Sequence, residues 1–160
     1  MKGFSRLGFF AALLMMPPGT ALAQALPEGW YLQEEDMGGV IDMTLAWYER
    51  GSGDVKVAFH CQKGFGDVVL TIYVDGPAVD GAPVAVVLEG DGTRFAFESP
   101  VGDYNGFSVE AITSFGPELT ALLRGGFAVS LDGVAHGTFG AKSGKGEIDR
   151  ILEACMADQG

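Results

Sequence analysis

Two cysteines are the residues of this chain whose setting most clearly predicts covalent chemistry. Cys61 ends a run in which Val55, Val57 and Phe59 alternate with other residues, which is the period of a half-buried strand. Cys155 lies on the apolar face of a predicted last helix. Both thiols are therefore expected to point inward, where apolar surroundings disfavour the reactive thiolate. The pattern predicts a structural disulfide, Cys61 to Cys155, that joins a sheet to a helix.

The two histidines, His60 and His136, form no recognisable metal or nucleophile motif. A zinc site needs three or four ligands, and neither histidine sits in H-x-x-x-H or C-x-x-C spacing. His60 directly precedes Cys61, but neighbouring strand residues point to opposite faces, which argues against a Cys-His pair. We interpret both histidines as unrelated residues on the solvent side of strands, and we predict no metal and no cofactor.

Other catalytic signatures are weak in this sequence. The part after residue 23 contains no G-x-S-x-G elbow and no S-x-x-K. The stretch 140–146 departs from the phosphate-binding pattern in its spacing and in the residue after its last lysine, so we interpret it as a loop before the last helix. Carboxylates that are distant in sequence can still pair in a fold. A small envelope hydrolase therefore stays an alternative to the non-enzymatic protein that we predict.

The first 23 residues have the layout of an export signal. Lys2 and Arg6 form a positive start, residues 7–16 an apolar run, and residues 21–23 an A-x-A cleavage site. The apolar run is shorter than the roughly 20 residues of a transmembrane helix, and no later stretch is long enough. No cysteine follows the cleavage site to carry a lipid. We expect a periplasmic or secreted protein with no membrane span and no lipid anchor, and cysteines in that compartment most often pair.

Removal of the signal leaves a single acidic domain, residues 24–160. The full chain has 10 basic and 21 acidic side chains and a formal charge of −11. Because two of the basic residues and none of the acidic ones lie in the signal, the remaining 137 residues carry a charge of −13. Such a surface repels nucleic acid and attracts cations, and salt weakens that attraction. The candidate partner is a basic protein or another envelope component.

Alternating apolar residues predict a mainly β domain. Short strands are expected to meander from Trp30 to Ile112, and two more follow a short helix at Pro117 to Leu123. The last helix should run from Lys145 to about Met156. The prediction is an antiparallel β-sandwich or open barrel of about eight to ten strands, closed by this C-terminal helix. Its expected core residues are Ile41, Leu45, Trp47, Val57, Phe59, Leu70 and Ile72.

Two connections complete the prediction. Ser99 to Asn105 is polar and is expected to be a loop between two strands. Ser143 is the expected N-cap of the last helix, because a serine hydroxyl can accept a hydrogen bond from a free N–H of the first turn.

The segment Phe139 to Cys155 carries a resemblance to known proteins. It joins a strand ending in Phe, a Gly/Ser-rich turn, an Ile-x-x-Ile-Leu helix and a closing Ala-Cys. In this it resembles small periplasmic proteins of alphaproteobacterial type and is distantly similar to the invasion-associated locus B family. The resemblance implies a β-sandwich and a periplasmic or secreted role in the envelope or in host interaction.

Residues 99–104, SPVGDY, carry a second resemblance. They follow a predicted hairpin and resemble the Ser-Gly-x-x-Tyr-like loop of the membrane-bound or periplasmic lysozyme inhibitors, which are small disulfide-bearing β-barrels. This likeness implies an alternative function as a lysozyme inhibitor, and an acidic surface would suit a basic enzyme. Because loops on a rigid sheet often carry recognition, we predict partner binding by Ser99, Asp103 and Tyr104.

Overall fold

Nine antiparallel strands form one curled, half-barrel sheet in the computed structural model, which describes residues 27–103 and 106–156. Two α-helices and a short 3-10 turn complete the described part of the chain. The predicted mainly β fold with a C-terminal helix is confirmed. The strands are β1 Gly29–Asp36, β2 Ile41–Tyr48, β3 Val55–Gln62, β4 Val68–Tyr73, β5 Pro83–Gly90, β6 Thr93–Asp103, β7 Phe107–Thr113, β8 Phe127–Leu131 and β9 Val134–Phe139; the helices are α1 Pro117–Gly125 and α2 Lys145–Cys155.

The strand order departs from the predicted meander after β4. Along the sheet the order is β1-β2-β3-β4-β7-β6-β5-β8-β9, so β4 pairs with β7 and not with β5. The expectation of a continuous meander is therefore wrong at this point. The connection 74–82 has to cross three strand spacings, about 14 Å. A chain segment of this length reaches that far easily, so β6 and β7 can return toward β4.

Strand β6 links the two halves of the sheet. Its first part pairs with β5 up to Pro100, and Val101–Asp103 then pairs with β7. The predicted loop from Ser99 to Asn105 is therefore wrong as far as Asp103, which ends a strand.

The physical reason is that the strand continues beyond two facing prolines and has a neighbour on each side there. Pro100 lies opposite Pro83 of β5, and neither residue has an N–H to donate to the ladder. Pro83 is the first residue of β5. Beyond it the Val101 N–H donates to the Ala82 carbonyl oxygen, while Val101 also pairs with Val109 of β7. A proline that suggests the start of a loop thus lies within a strand, at the place where this strand gains β7 as a second neighbour.

Aromatic rings fill the concave face of the sheet. The ring of Trp30 lies 5.3 Å from that of Trp47, 6.1 Å from Phe127 and 6.4 Å from Phe139, measured between centroids. Since Trp30 belongs to β1 and Phe139 to β9, these contacts join the two edge strands across the opening of the half-barrel. The predicted core residues Leu45, Trp47, Val57, Phe59, Leu70 and Ile72 are buried, and Ile41 is partly buried against the same core.

Helix α2 packs against β1 and β2 with the face that its spacing predicts. Ile148, Ile151, Leu152 and Cys155 are all buried. The Sγ atoms of Cys61 and Cys155 lie at disulfide distance, 2.08 Å, with their Cα atoms 6.2 Å apart. One covalent bond therefore ties β3 to the last turn of α2.

The start of α2 is determined by close backbone packing. Gly144 is the N-cap residue and no side chain caps the helix. The prediction of Ser143 as N-cap is wrong, because the helix begins one residue later; the Ser143 hydroxyl instead donates to the carbonyl oxygen of Gly140 at 3.5 Å. A Cβ atom on Gly144 would overlap the Cβ of Trp30. The turn can approach β1 this closely only because residue 144 has no side chain.

Among residues 27–103 and 106–156 no helix is long and apolar enough to cross a membrane. The predicted export signal, residues 1–23, lies outside the described residues and stays a prediction.

Candidate functional site

An open groove on the outer face of the sheet brings three carboxylates together, and we name it the acidic groove. It has a volume of about 470 Å³ and lies where β6 meets β7, beside the loop 74–82. The carboxylates belong to Asp80, Asp103 and Glu110. Its other lining residues are Gly81, Ser99, Pro100, Val101, Gly102 and Ser108.

Two backbone hydrogen bonds hold the loop 74–82 against β6. The Gly81 N–H donates to the Val101 carbonyl oxygen at 2.8 Å, and the Val101 N–H donates to the Ala82 carbonyl oxygen at 2.9 Å. These bonds begin directly beyond the proline pair that ends the β5 ladder. They carry Asp80 to the end of β6, so one rim of the groove is backbone-supported.

Strand β7 supplies the floor of the groove. Because side chains alternate along a strand, Ser108 and Glu110 face outward while Val109 enters the core. Ser108 is only 5% exposed although it faces outward, which places it at the bottom of the groove. Thr71 of β4 donates its hydroxyl to Glu110 Oε1 at 3.3 Å. This bond orients one carboxylate from the neighbouring strand.

The groove is negative and has no local counter-charge among its described lining residues, none of which is Lys or Arg. In the part of the chain that the structure describes, no group of His, Cys, Asp or Glu side chains is arranged to hold a metal ion. Carboxylates in an open site interact through water, so each contributes little by itself. Together they attract cations and speed the encounter with a positively charged partner. The arrangement suits recognition of cationic side chains.

The groove contains part of the predicted binding site. Ser99 and Asp103 both line it, although they belong to the end of a strand. Tyr104 lies outside the described residues, so its predicted contact stays a prediction. Asp80 and Glu110 were not predicted. The outward position of Glu110 follows from strand alternation, but only the crossing of the loop 74–82 brings Asp80 to it.

A second polar cluster surrounds Lys56, whose side chain is only 15% exposed. Its Nζ atom donates to Asp75 Oδ1 at 2.5 Å and lies 3.4 Å from Glu49 Oε2. The hydrogen bond to Asp75 outweighs the effect of burial and raises the pKa of Lys56. A lysine that is held protonated serves as a charge partner and not as a nucleophile. We therefore assign this Lys56 cluster a structural role.

His136 lies beside the Lys56 cluster in a half-buried position. Burial lowers its pKa, Lys56 adds to the lowering, and Asp75 opposes it. Its Nε2 atom is buried and has no hydrogen-bond partner among the described residues, which also favours the neutral ring. The prediction of a solvent-facing His136 is wrong to this extent, because the curl of the sheet brings β9 near the backbone of Tyr73.

His60 has a different environment from His136. It is half-buried on β3, and its Nδ1 atom lies 3.1 Å from the Thr44 hydroxyl oxygen of β2. Thr44 and His60 are direct partners in the β2–β3 register, so this is a cross-strand pair. The two histidines interact with different residues, as their separate strands predict.

Comparison of the chain with protein-family models, with curated protein sequences and with solved structures gives no significant match.

Proposed function

We propose that this chain is an exported, non-enzymatic binding protein of the bacterial cell envelope that recognises a basic partner through the acidic groove. The observation that carries the proposal is the groove itself: Asp80, Asp103 and Glu110 come from three separate segments and line one groove, without a basic residue in the described lining. Two residues that the sequence independently predicts for partner binding, Ser99 and Asp103, lie there as well.

Export is supported by two features that have no connection with the groove. Residues 1–23 have the three-part layout of a signal peptide. Cys61 and Cys155 lie at disulfide distance in the described domain, and stable disulfides are typical of oxidising compartments. Both features support a periplasmic or secreted location, in which the large negative charge of the domain would face envelope components and foreign proteins.

The test is binding of the mature domain, residues 24–160, to a c-type lysozyme as a basic probe. Surface plasmon resonance at two salt concentrations should show binding that weakens strongly with salt, because screening acts on exposed charges. The same lysozyme with its lysines succinylated has reversed charge and should not bind. Equal binding of both forms would contradict the proposal.

A matched pair of variants then separates the groove from the overall charge. The groove variant carries Asp80→Asn, Asp103→Asn and Glu110→Gln, and the control carries Asp67→Asn, Asp91→Asn and Glu118→Gln, all three exposed outside the groove. Both lose three negative charges. We expect the groove variant to bind at least about tenfold more weakly than the control. Equal losses would mean that net charge, and not the groove, attracts the partner.

The lysozyme-inhibitor alternative is distinguished by activity. It is favoured by the position of Asp103 at the groove, and it requires the wild-type domain to inhibit the enzyme as well as bind it. Replacing Asp103 and Tyr104 by Ala should then remove inhibition without a change in melting temperature. Binding without inhibition at micromolar concentration would retain the envelope-binding function and end the inhibitor alternative.

A further inference from the structure

We propose that the second half of β1, Gln33–Asp36, is a docking edge that pairs with an extended, lysine- or arginine-rich segment of another protein. The carrying observation is a row of backbone groups that has no partner strand. The proposal does not depend on the acidic groove and uses a different part of the sheet.

Strand β1 is one of the two edges of the sheet. It pairs with β2 over its whole length, Gly29–Asp36, and in the described chain no strand lies on its other side. An edge strand offers unpaired N–H and C=O groups, and addition of an extended peptide to such an edge is a common mode of recognition.

Two hydrogen bonds outside the ladder show which backbone groups face the open side. The Met37 N–H donates to the Val40 carbonyl oxygen at 2.8 Å, so these residues form a bonded pair at the β1–β2 turn. The Lys63 N–H donates to the Ile41 carbonyl oxygen at 2.9 Å, so the backbone N–H and C=O of Ile41 point toward β3. Those of the next residue, Asp42, then point toward β1. Both hydrogen bonds therefore imply the same alternation of bonded and non-bonded residue pairs between β1 and β2.

Bonded and non-bonded pairs alternate in an antiparallel ladder. Gln33 and Glu35 therefore direct their N–H and C=O groups toward β2, whereas Leu32, Glu34 and Asp36 direct theirs away from the sheet. In the described parts of the chain these outward groups have no hydrogen-bond acceptor or donor. Glu34 and Asp36 lie within the docking edge and Leu32 directly precedes it, and these three alternate positions are enough to seat a short added strand.

The open edge is confined to the second half of β1. In the first half, Gly29 lies against Ser143 and Trp30 lies against Gly144, so the turn before α2 covers that part. Gln33–Asp36 are all exposed. An added strand would thus begin just beyond the part of β1 that this turn covers.

Charge decides which occupant fits this edge. Glu34, Glu35 and Asp36 are consecutive acidic residues. Glu34 and Glu153 of α2 line a cavity of about 400 Å³ together with Lys63 and Arg150, so the uncompensated negative charge of the edge lies at Glu35 and Asp36. A guanidinium already binds there within the chain, since Arg150 donates to Glu34 Oε1. A second copy of this strand would place like charges opposite one another, which opposes pairing. A cation-rich strand from another protein has the complementary charge.

The test uses an acetylated, amidated octapeptide of alternating basic and β-branched residues, Lys-Thr-Lys-Val twice, with isotope-labelled residues 24–160. Amide hydrogen exchange is measured by NMR with and without the peptide. We expect exchange at Leu32, Glu34 and Asp36 to slow by at least about tenfold, because their N–H groups gain acceptors. Gln33 and Glu35, already bonded to β2, should change little. This alternation is specific to strand addition.

Two variants complete the test. Glu34→Pro removes a charge and one outward N–H, whereas Glu34→Gln removes the charge alone, so the proline variant should bind the peptide at least about fivefold more weakly than the glutamine variant. The groove variant with Asp80, Asp103 and Glu110 neutralised should keep the alternating protection, which separates this proposal from the proposed function. No binding at millimolar peptide, or protection without alternation along β1, would overturn the docking edge.

Discussion

The inner face under α2 and the acidic groove are built on the same sheet, but different forces position their residues. On the inner face, Phe59 of β3 and Ile151 and Leu152 of α2 are almost fully buried, and a disulfide fixes α2 to β3. In the groove, the carboxylates of Asp80 and Asp103 are exposed, and backbone hydrogen bonds of the neighbouring loop and strands support them.

This difference teaches that buried apolar contacts and a cluster of exposed carboxylates can occupy opposite faces of one layer. Buried apolar contacts contribute to folding in proportion to the area removed from water. Exposed carboxylates contribute little to folding but shape the electrostatic field that a partner meets. Substitutions on the inner face should therefore lower stability, and substitutions in the groove should lower binding alone.

The strongest test of the inner face is Phe59→Ala. Phe59 is 0% exposed, so truncation should lower the free energy of unfolding by about 3–5 kcal/mol through lost burial and a new cavity. Urea unfolding followed by tryptophan fluorescence measures it. Phe65→Ala is the matched control, because Phe65 is 58% exposed, and it should change stability by less than about 0.5 kcal/mol. Similar values for the two variants would contradict the packing described for this face.

Loss of the disulfide should have the next largest effect. Cys155→Ser is expected to lower the free energy of unfolding by about 2–5 kcal/mol, since the bond closes a loop across a separation of 94 residues. Mass spectrometry of the non-reduced, exported chain should find no free thiol. Detection of two free thiols would refute the pairing, and wild type under reducing conditions should reproduce the variant.

A smaller effect is expected where α2 begins against β1. Gly144→Ala should cost about 1–3 kcal/mol, because the added methyl group meets Trp30. Gly146→Ala provides the control within the same helix, since nothing lies within 4 Å of its added Cβ atom. That variant should be neutral or stabilising by up to about 1 kcal/mol, because alanine favours helix. Thermal melts of both variants show whether the steric contact with Trp30 or the helix propensity of alanine dominates at the start of α2.

The half-buried His136 should make the free energy of unfolding depend on pH. Its pKa is lowered in the fold, so above the unfolded value of about 6.5 both states are neutral and the residue has no effect. As pH falls below that value, His136 is protonated in the unfolded chain but stays neutral in the folded protein. Stability should fall by at most about 1.4 kcal/mol per pH unit until the folded pKa is passed.

Denaturant unfolding between pH 7.5 and pH 5 measures how steeply the free energy of unfolding changes with pH. The His136→Gln variant should lose the contribution of His136 to this slope. His60→Gln is the control and should leave that part of the curve in place. An unchanged slope in His136→Gln would show that His136 is not held neutral by the fold.

The smallest expected change concerns the groove. The variant with Asp80, Asp103 and Glu110 neutralised should keep its free energy of unfolding within about 0.5 kcal/mol of wild type, as is usual for exposed side chains. Differential scanning calorimetry beside the binding assay checks this. A large loss of stability would mean that the groove carboxylates have a structural role and that the two faces are not separate in function.

The sequence by itself determined the local elements and their buried faces. The i, i+3, i+4, i+7 spacing in α2 and the alternation around Phe59 each reflect a single repeating backbone geometry, so nearby residues suffice to predict them. The pairing of Cys61 with Cys155 could be predicted for the same reason, since each cysteine lies on the apolar side of its element. Ser99 and Asp103, which line the groove, were predicted to bind a partner from a local resemblance, and that role stays a prediction.

Only the tertiary structure decided which segments meet. Strand order depends on where the connection 74–82 crosses, and nothing in the strand residues states that β7 will lie between β4 and β6. Asp80 and Glu110 join the groove through that crossing, and His136 becomes half-buried through the curl that brings β9 to β4. These are contacts between residues far apart in sequence. Their formation depends on the packing energy of the whole sheet, which no short stretch of sequence contains.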